Sequence, residues 1–468
     1  MEQERQQRTK RRREQMLEGN LIKLIPVIAM PQVVAMLIDS LYNMADTYFV
    51  SRLGPAATAA VGINDSTMHL IRAIALAFGM GAASYISRLL GAGRDKEASE
   101  AASTNVITAM GFIAFISVLS YIFLSPLMTF MGATESVKPY SMNYAKWTLL
   151  FACFTGGTVC LSQTLRGEGS TTYAMIGSVT GCVINVLLDP LFIYVLNLGV
   201  SGAAIATGIS KIISFSILLF PFITRKTVLI ISPRLFSPRK DLFLELARMG
   251  VPTGMRTSLM TFSTIVINNM AAGFGDVALA AVAVANKCMR LVASAIMGFG
   301  QGFQPIAGYC WGAKKYDRVK KAFIYTSIYG FFISIVLGTL LTIFARQVIS
   351  IFSSDQEMMD VGLILIRSQS IVLFPHVWGM IATGLFQGTG KALQSAVLGM
   401  SRQIFALIPC VIILTKLFGL QGLVLSQAVA DVISFFIALG MIAFMISELN
   451  RLEKGEVIKE MRKKGGAA

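Results

Sequence analysis

Residues 21–50 read LIKLIPVIAMPQVVAMLIDSLYNMADTYFV, a run whose only charges are Lys23, Asp39 and Asp46. A helix needs roughly 20 mainly apolar residues to cross the hydrocarbon core of a bilayer, and this run exceeds that length. Windows of the same kind recur along the chain. They predict twelve spans, near 21–50, 56–86, 103–130, 140–165, 170–197, 200–223, 244–274, 277–308, 322–344, 359–387, 392–417 and 420–447. Composition agrees: of 468 residues, 54% are hydrophobic and 14% charged, where an ordinary soluble domain carries about 25% charged residues. The polar breaks are too short to hold a separate soluble domain. The fold class expected is an all-α integral membrane protein.

The net charge of +16 would raise nucleic acid as a partner for a soluble protein. Here the bases gather in alternate connections and at both ends. The opposite connections hold only Arg52, Lys138, Arg346 and Lys416. Lys and Arg favour the cytoplasmic side of a membrane, so the pattern predicts a multi-pass protein of the prokaryotic inner (plasma) membrane with both termini cytoplasmic and no nucleic-acid partner. The head, with Arg5, Arg8, Lys10, Arg11, Arg12 and Arg13, reads as a topogenic signal or as a contact for anionic lipid. The first apolar run is too long for a cleaved signal peptide. Cys153, Cys160, Cys182, Cys288, Cys310 and Cys410 all lie in apolar segments without CxxC spacing and read as small hydrophobes.

Slid against itself by 221 residues, the chain aligns Pro31 with Pro252, Gly54 with Gly275, Met68 with Met289, and Ala59-Ala60-Val61 with Ala280-Ala281-Val282. The register continues through Phe78-Gly79 and Phe299-Gly300 to Gly167 and Gly169, which meet Gly388 and Gly390. One constant offset without a gap indicates duplication. Six spans per half is an even number, so the halves form a parallel repeat, a layout that binds solute between lobes and exposes it alternately to each side. The expected organisation is a basic head at 1–20, an N-terminal six-helix lobe at 21–224, a linker at 225–243, a C-terminal six-helix lobe at 244–447 and a tail at 448–468.

Several motifs carry a family resemblance. They are Asn43-Met44-Ala45-Asp46-Thr47-Tyr48-Phe49-Val50 followed by Arg52-Leu53-Gly54, then Leu165-Arg166-Gly167-Glu168-Gly169, Asn185-Val186-Leu187-Leu188-Asp189-Pro190 and Gly202-Ala203-Ala204-Ile205-Ala206-Thr207. Over about residues 15 to 450 the chain resembles the multidrug and toxic compound extrusion (MATE) transporters. The resemblance implies two six-helix lobes and export of amphiphilic, often cationic compounds, coupled to inward flow of H⁺ or Na⁺. It implies no cofactor beyond that coupling ion, and a protein that works as a monomer among small amphiphilic substrates and bilayer lipid.

A carboxylate at bilayer depth costs about 2.5 to 3.5 kcal/mol on insertion scales, so each one requires a reason. Asp39 and Asp46, two helical turns apart, share a face with Tyr42 and Asn43 between them, and Asn185 and Asp189 share another. Should those faces meet, two carboxylates converge with an amide, a phenol and the Thr207 hydroxyl. Such oxygens suit a hard cation such as Na⁺, held by Asp46, Asp189 and Asn185, and a crowded, desolvated carboxyl pair can equally retain a proton. The competing reading is that the acids pair with Arg72, Lys211 or Arg256 and hold helices together. By resemblance Asp46, Asp189, Asn185, Tyr42 and Thr207 match the family's N-lobe cation site, while Ser162 stands where close relatives carry Asn.

The duplication places Ile267 opposite Asp46 and Cys410 opposite Asp189, so the second lobe lacks the pair. His376 falls about where some branches carry an Asp, and is a possible second protonation site or a structural histidine. Asp431 and Asp65 are open to either reading. The coupling ion is therefore expected in the N-terminal lobe, as in the branch that includes the DNA-damage-inducible and MepA-like exporters. Pro31 and Pro252 kink matching helices, and the resemblance makes Pro31 a hinge, although a static bend reads equally well. Twenty-five Met and thirty Phe offer an adaptable lining without marking individual substrate contacts.

The rival reading within the same superfamily is a lipid-linked oligosaccharide flippase, which needs a cationic cavity that Arg256, Lys287, Arg290, Arg367 and Arg402 are able to supply. The chain shows no enzyme constellation: its histidines are His69 and His376, with no HExxH and no GxxxxGK[ST] run. It is expected not to be an enzyme.

Overall fold

A computed structural model describes residues 2–350 and 356–465; residues 466–468 of the expected tail lie outside the described residues. No strand occurs among the described residues. The helices run in chain order as α1 (Glu2–Glu18), α2 (Leu21–Ser51), α3 (Pro55–Gly91), α4 (Asp95–Ile122), α5 (Leu124–Phe130), α6 (Lys138–Glu168), α7 (Thr171–Pro190) and α8 (Gly199–Ile223). The second series is α9 (Lys240–Ala272), α10 (Asp276–Gly312), α11 (Tyr316–Ser350), α12 (Gln356–Ile371), α13 (Leu373–Gly388), α14 (Ala392–Ser401) and α15 (Ile408–Gly465). Wider π turns extend α7 over Leu191–Val195 and join α14 to α15 over Arg402–Leu407.

Nine helices among the described residues are long and apolar enough to span a bilayer, or ten when the bent pair α12–α13 counts as one. Two local features reconcile this with twelve. The run Ala392–Gly455 is 64 residues long but turns at Gly419, whose φ of 58° and ψ of −138° are not helical, so it supplies two spans. Helix α9 has 33 residues, and Lys240, Asp241, Glu245, Arg248 and Arg256 dilute its apolar character.

Two spans expected as single helices are broken. The span near 103–130 divides between α4 and α5, and the span near 359–387 divides between α12 and α13, which meet at 53°. Proline explains both breaks. A proline removes the donor for the carbonyl four residues earlier and crowds it. Pro126 and Pro375 strip Ile122 and Ile371 of their partners, and those are the last residues of α4 and α12. Helix α2 instead runs unbroken through Pro31, and α9 through Pro252.

The duplication is visible in the backbone. Helices α3 and α10 each hold 37 residues, and both their first and last residues lie 221 positions apart. Gly54 and Gly275 precede them with φ of 105° and 99°, and Gly169 and Gly390 close α6 and α13 with φ of 86° and 76°. These left-handed positions strain any side chain with a Cβ. Packing repeats too. A Cβ on Gly167 would lie 2.7 Å from Ala83 Cα, and one on Gly388 would lie 2.7 Å from the carbonyl oxygen of Gln304, the residue equivalent to Ala83. Small residues let these helices approach closely where no hydrophobic force from water drives them together.

The chain forms two compact units. Unit 1 comprises Pro31–Gly254 with the first residues up to Arg12, and unit 2 comprises Arg13–Met30 and the residues from Met255 on. The sequence repeat records duplication and the units record packing, so their limits differ: the segment 225–243 lies inside unit 1. In unit 2, Arg318 donates to the carbonyls of Met16 at 3.0 Å and Gly19 at 2.5 Å, tying the start of the chain to α11. In unit 1, Arg88 pairs with Glu245 at 2.6 Å, and the hydroxyls of Ser99, Ser103 and Thr104 accept from the backbone amides of Ile230, Ser232 and Ser237.

The end of α6 explains its glycine-rich motif. Past Gly169 the Ser170 amide returns to the carbonyl of Leu165 at 2.8 Å, a left-handed cap. Glu168 is fully buried there. One of its oxygens accepts from the Ser170 hydroxyl at 2.6 Å and the other from the Leu229 amide at 3.1 Å. Glu168→Ala leaves both donors buried and unpaired, at about 1 to 3 kcal/mol each. The variant is expected to melt several degrees below the parent in detergent, with Glu168→Gln intermediate. An unchanged melting temperature for Glu168→Ala would refute this role.

Candidate functional site

Helix α2 carries Asp46 on the part of its surface that faces α7 within unit 1. Asp189 is fully buried near the end of α7, Asn185 sits one turn earlier, and Asp46 is half-buried. The carboxyl groups of Asp46 and Asp189 lie within hydrogen-bonding reach of each other. Asn185 Nδ2 donates to Asp189 Oδ1 at 3.3 Å and to Thr207 Oγ1 on α8 at 3.1 Å. Three oxygens are left buried with no hydrogen-bond partner: Asp46 Oδ1, Asp189 Oδ2 and Asn185 Oδ1. Buried polar atoms are nearly always satisfied, so this acceptor-rich group favours a positive charge beside it.

The neighbouring bases do not supply that charge by contact. Among the described residues no basic side chain forms an ion pair with Asp46 or Asp189. Arg72 reaches Asp65 at 4.0 Å. Lys211 Nζ lies 5.5 Å from the centre of the Tyr42 ring, within cation–π range. Their fields act on Asp46 from a distance, opposed by Asp65. The reading in which these acids merely pair with bases therefore lacks its contacts.

The remaining expected residues divide. Tyr42 belongs to the group, close enough to Asp46 for the charge to act on its phenol. Ser162 is buried with an unpartnered Oγ and no hydrogen bond to either carboxylate. Asp39 is exposed and stands apart, its Oδ1 4.0 Å from Cys182 Sγ; the shared helical face does not bring it to Asp46. Pro31 lies in α2, beside Gln32, whose wholly buried amide has no partner on either atom. Tyr144 was not singled out from the sequence, yet the charges of Asp46, Asp65 and Asp189 all reach its buried ring. An aromatic on an apolar helix gives no sequence signal that separates this place from ordinary packing.

The corresponding region of unit 2 is neutralised differently. Ile267 joins an apolar cluster with Val282, Leu407 and Val411, and Cys410 is buried. His376 Nδ1 lies 3.1 Å from Asp431 Oδ1. Arg402 grips both oxygens of the same carboxylate, Nη2 meeting Oδ2 at 3.1 Å and Nε meeting Oδ1. His376 and Asp431 are thus partners in one charge cluster. Among the described residues no group of three or more His, Cys, Asp or Glu side chains is placed to hold a metal ion. The paired carboxylates and amide of unit 1 are a smaller set of oxygen donors.

Comparison with known proteins is consistent along nearly the whole chain. The multidrug export protein MepA of Staphylococcus saprophyticus subsp. saprophyticus is 25% identical over 454 residues, covering 94% of this chain and 98% of its own. A structure described as the outward-facing conformation of a multidrug resistance MATE family transporter of the MOP superfamily matches with a TM-score of 0.89 and 26% identity, over 93% of this chain and 98% of that one. A MATE in the bent conformation matches with a TM-score of 0.87 and 26% identity, over 94% and 98%. The MatE family model fits twice, at residues 31–191 and 252–412, two copies again 221 positions apart. The chain belongs to the MatE family of multidrug and toxic compound extrusion transporters.

Proposed function

We propose that this protein is a secondary active exporter of amphiphilic, often cationic compounds, driven by inward passage of H⁺ or Na⁺ through the Asp46–Asp189 site of unit 1. The observation that carries the reading is the trio of buried, unpartnered oxygens on Asp46, Asp189 and Asn185. Two adjacent carboxylates cannot both stay charged and dry without a counterion, since burial of an isolated charge costs far more than the chain can sustain. A proton shared between them, or a sodium ion among the three oxygens, removes that penalty. Arrival of the cation thereby selects one arrangement of the surrounding helices, and its departure another. A ligand shifts such an equilibrium only by its difference in affinity for the two states.

Support for export comes from the staphylococcal relative, named for multidrug export. The alternation of basic connections supports insertion in the prokaryotic inner membrane with both termini in the cytoplasm. Pro31, the duplicated proline of α2, is the candidate hinge, because the Val27 carbonyl lacks its helical donor there. The flippase reading draws on bases in unit 2, of which Arg256, Arg290 and Arg402 line a cavity there, while Lys287 and Arg367 do not. That cavity holds about 330 Å³, near the lower end of pockets that enclose drug-sized ligands, which weighs against a diphosphate-linked oligosaccharide.

Coupling between two ligands is usually about 1–3 kcal/mol, roughly 5- to 150-fold in affinity. Asp46→Asn and Asp189→Asn should therefore each reduce dye efflux from expressing cells at least about fivefold, with membrane levels of the protein unchanged. Efflux undiminished in both variants removes the coupling role. In proteoliposomes, an imposed pH gradient or an imposed Na⁺ gradient, applied separately, should drive uptake or release of tetraphenylphosphonium. Transport indifferent to both gradients would contradict antiport.

A further inference from the structure

Unit 2 holds a partly open cavity of about 330 Å³ whose charged lining is Arg256, Arg290, Arg402, His376 and Asp431. Its one carboxylate is already engaged. Asp431 accepts from both Arg402 nitrogens and lies 3.1 Å from His376 Nδ1. Arg256 and Arg290 have no carboxylate partner among the described residues. The Arg256 Nε is buried without a hydrogen-bond partner, and its Nη1 reaches the Met380 thioether at 3.9 Å. A soft sulfur is a weak acceptor for a guanidinium.

Both arginines stand deep in long helices. At about 1.5 Å per residue, Arg256 lies roughly 24 Å from the start of α9 and Arg290 roughly 21 Å from the start of α10. Bases at that depth face cavities and mark substrate pathways far more often than they serve packing. The rest of the wall is amphiphilic. The Ser263 hydroxyl, buried and unpartnered, lines the same cavity. A relay of amides runs from Gln369 Nε2 to Gln427 Oε1 at 3.0 Å and from Gln427 Nε2 to Asn286 Oδ1 at 3.2 Å. Met260, Met289, Met297, Leu373 and Met380 supply an apolar side of the adaptable kind that thioethers provide.

Cationic compounds are poor occupants of such a wall. A guanidinium pairs best with a carboxylate, phosphate or sulfonate, through short parallel hydrogen bonds. We propose that this cavity binds the acidic group of an amphiphile, with Arg256 and Arg290 as its charge partners, Ser263 as an added donor and the methionines against the apolar body. The ligand comes either from solution, as an acidic organic amphiphile, or from the bilayer, as an anionic lipid headgroup. The site goes beyond cation-driven export, since it assigns to unit 2 a ligand of opposite sign from the ion held in unit 1.

Calorimetric titration of the full-length protein in neutral detergent tests the site, with taurocholate as the soluble acid, phosphatidylglycerol as the lipid and tetraphenylphosphonium as the cationic control. At least one acidic probe should bind, and Arg256→Gln and Arg290→Gln should each weaken it at least about tenfold, or about 1.4 kcal/mol. The affinity for tetraphenylphosphonium should not fall. Taurocholate binding alone identifies a soluble acid, phosphatidylglycerol binding alone identifies the bilayer, and either result upholds the site. Arg290 is exposed, so Arg290→Gln gives a folded variant even where Arg256→Gln lowers the melting temperature. Absence of binding by both acids, or binding equally tight in the parent and both variants, overturns the proposal. The titration contains no transport step, so its outcome is read independently of cation coupling.

Discussion

Two carboxylates that meet inside unit 1, one fully and one half buried, with no base in contact among the described residues, are the constraint around which that unit is arranged. Electrostatic energies rise steeply as the surroundings dry, and Asp189 is fully buried while Asp46 faces it from another helix. The protein does not relieve this with an ion pair, although Arg72 and Lys211 lie in the same lobe. Arg72 is directed to Asp65 and Lys211 to the Tyr42 ring. Their positive fields moderate the site without filling it. Both bases are thus turned to other partners instead of neutralising the acids by contact.

The duplicated half shows the opposite solution to the same problem. Asp431 is buried too, but Arg402 and His376 close on it, as a structural charge cluster requires. The positions equivalent to Asp46 and Asp189 hold Ile267 and Cys410, so the acid pair is not repeated there. The second unit instead carries Arg256 and Arg290, which have no carboxylate partner among the described residues. The backbone scaffold meanwhile kept the glycines that let α3 meet α6 and α10 meet α13. Duplication preserved the packing, and the intramembrane charges diverged over it.

Much of this was legible from the chain alone. The 221-residue offset, read from glycines and prolines, reappears in the equal lengths of α3 and α10 and in the left-handed turns at Gly54, Gly275, Gly169 and Gly390. These are backbone requirements, and backbone requirements are written in residue type. The pairing of Asp46 with Asp189 was also foreseeable, because each sits on a helical face beside polar companions. Less visible were the breaks before Pro126 and Pro375, since an apolar run looks continuous whether or not a proline divides it. Asp39 shares a face with Asp46 yet remains exposed, because spacing fixes the side of a helix and not the depth along it. Tyr144 and the free charge of Arg256 depend on which distant helix comes alongside, and no local pattern records that.

The central claim is that a cation sits on Asp46 and Asp189 and leaves when substrate drives the opposite state. Its most direct test is to add tetraphenylphosphonium to the purified protein in lightly buffered, sodium-free detergent and record protons released, then to repeat the addition with ²²Na⁺-equilibrated protein and record sodium displaced. Release of about one cation per protein in one of the two experiments, lost when both acids are changed to Asn, is the predicted result. Substrate binding with no release of either cation would contradict it.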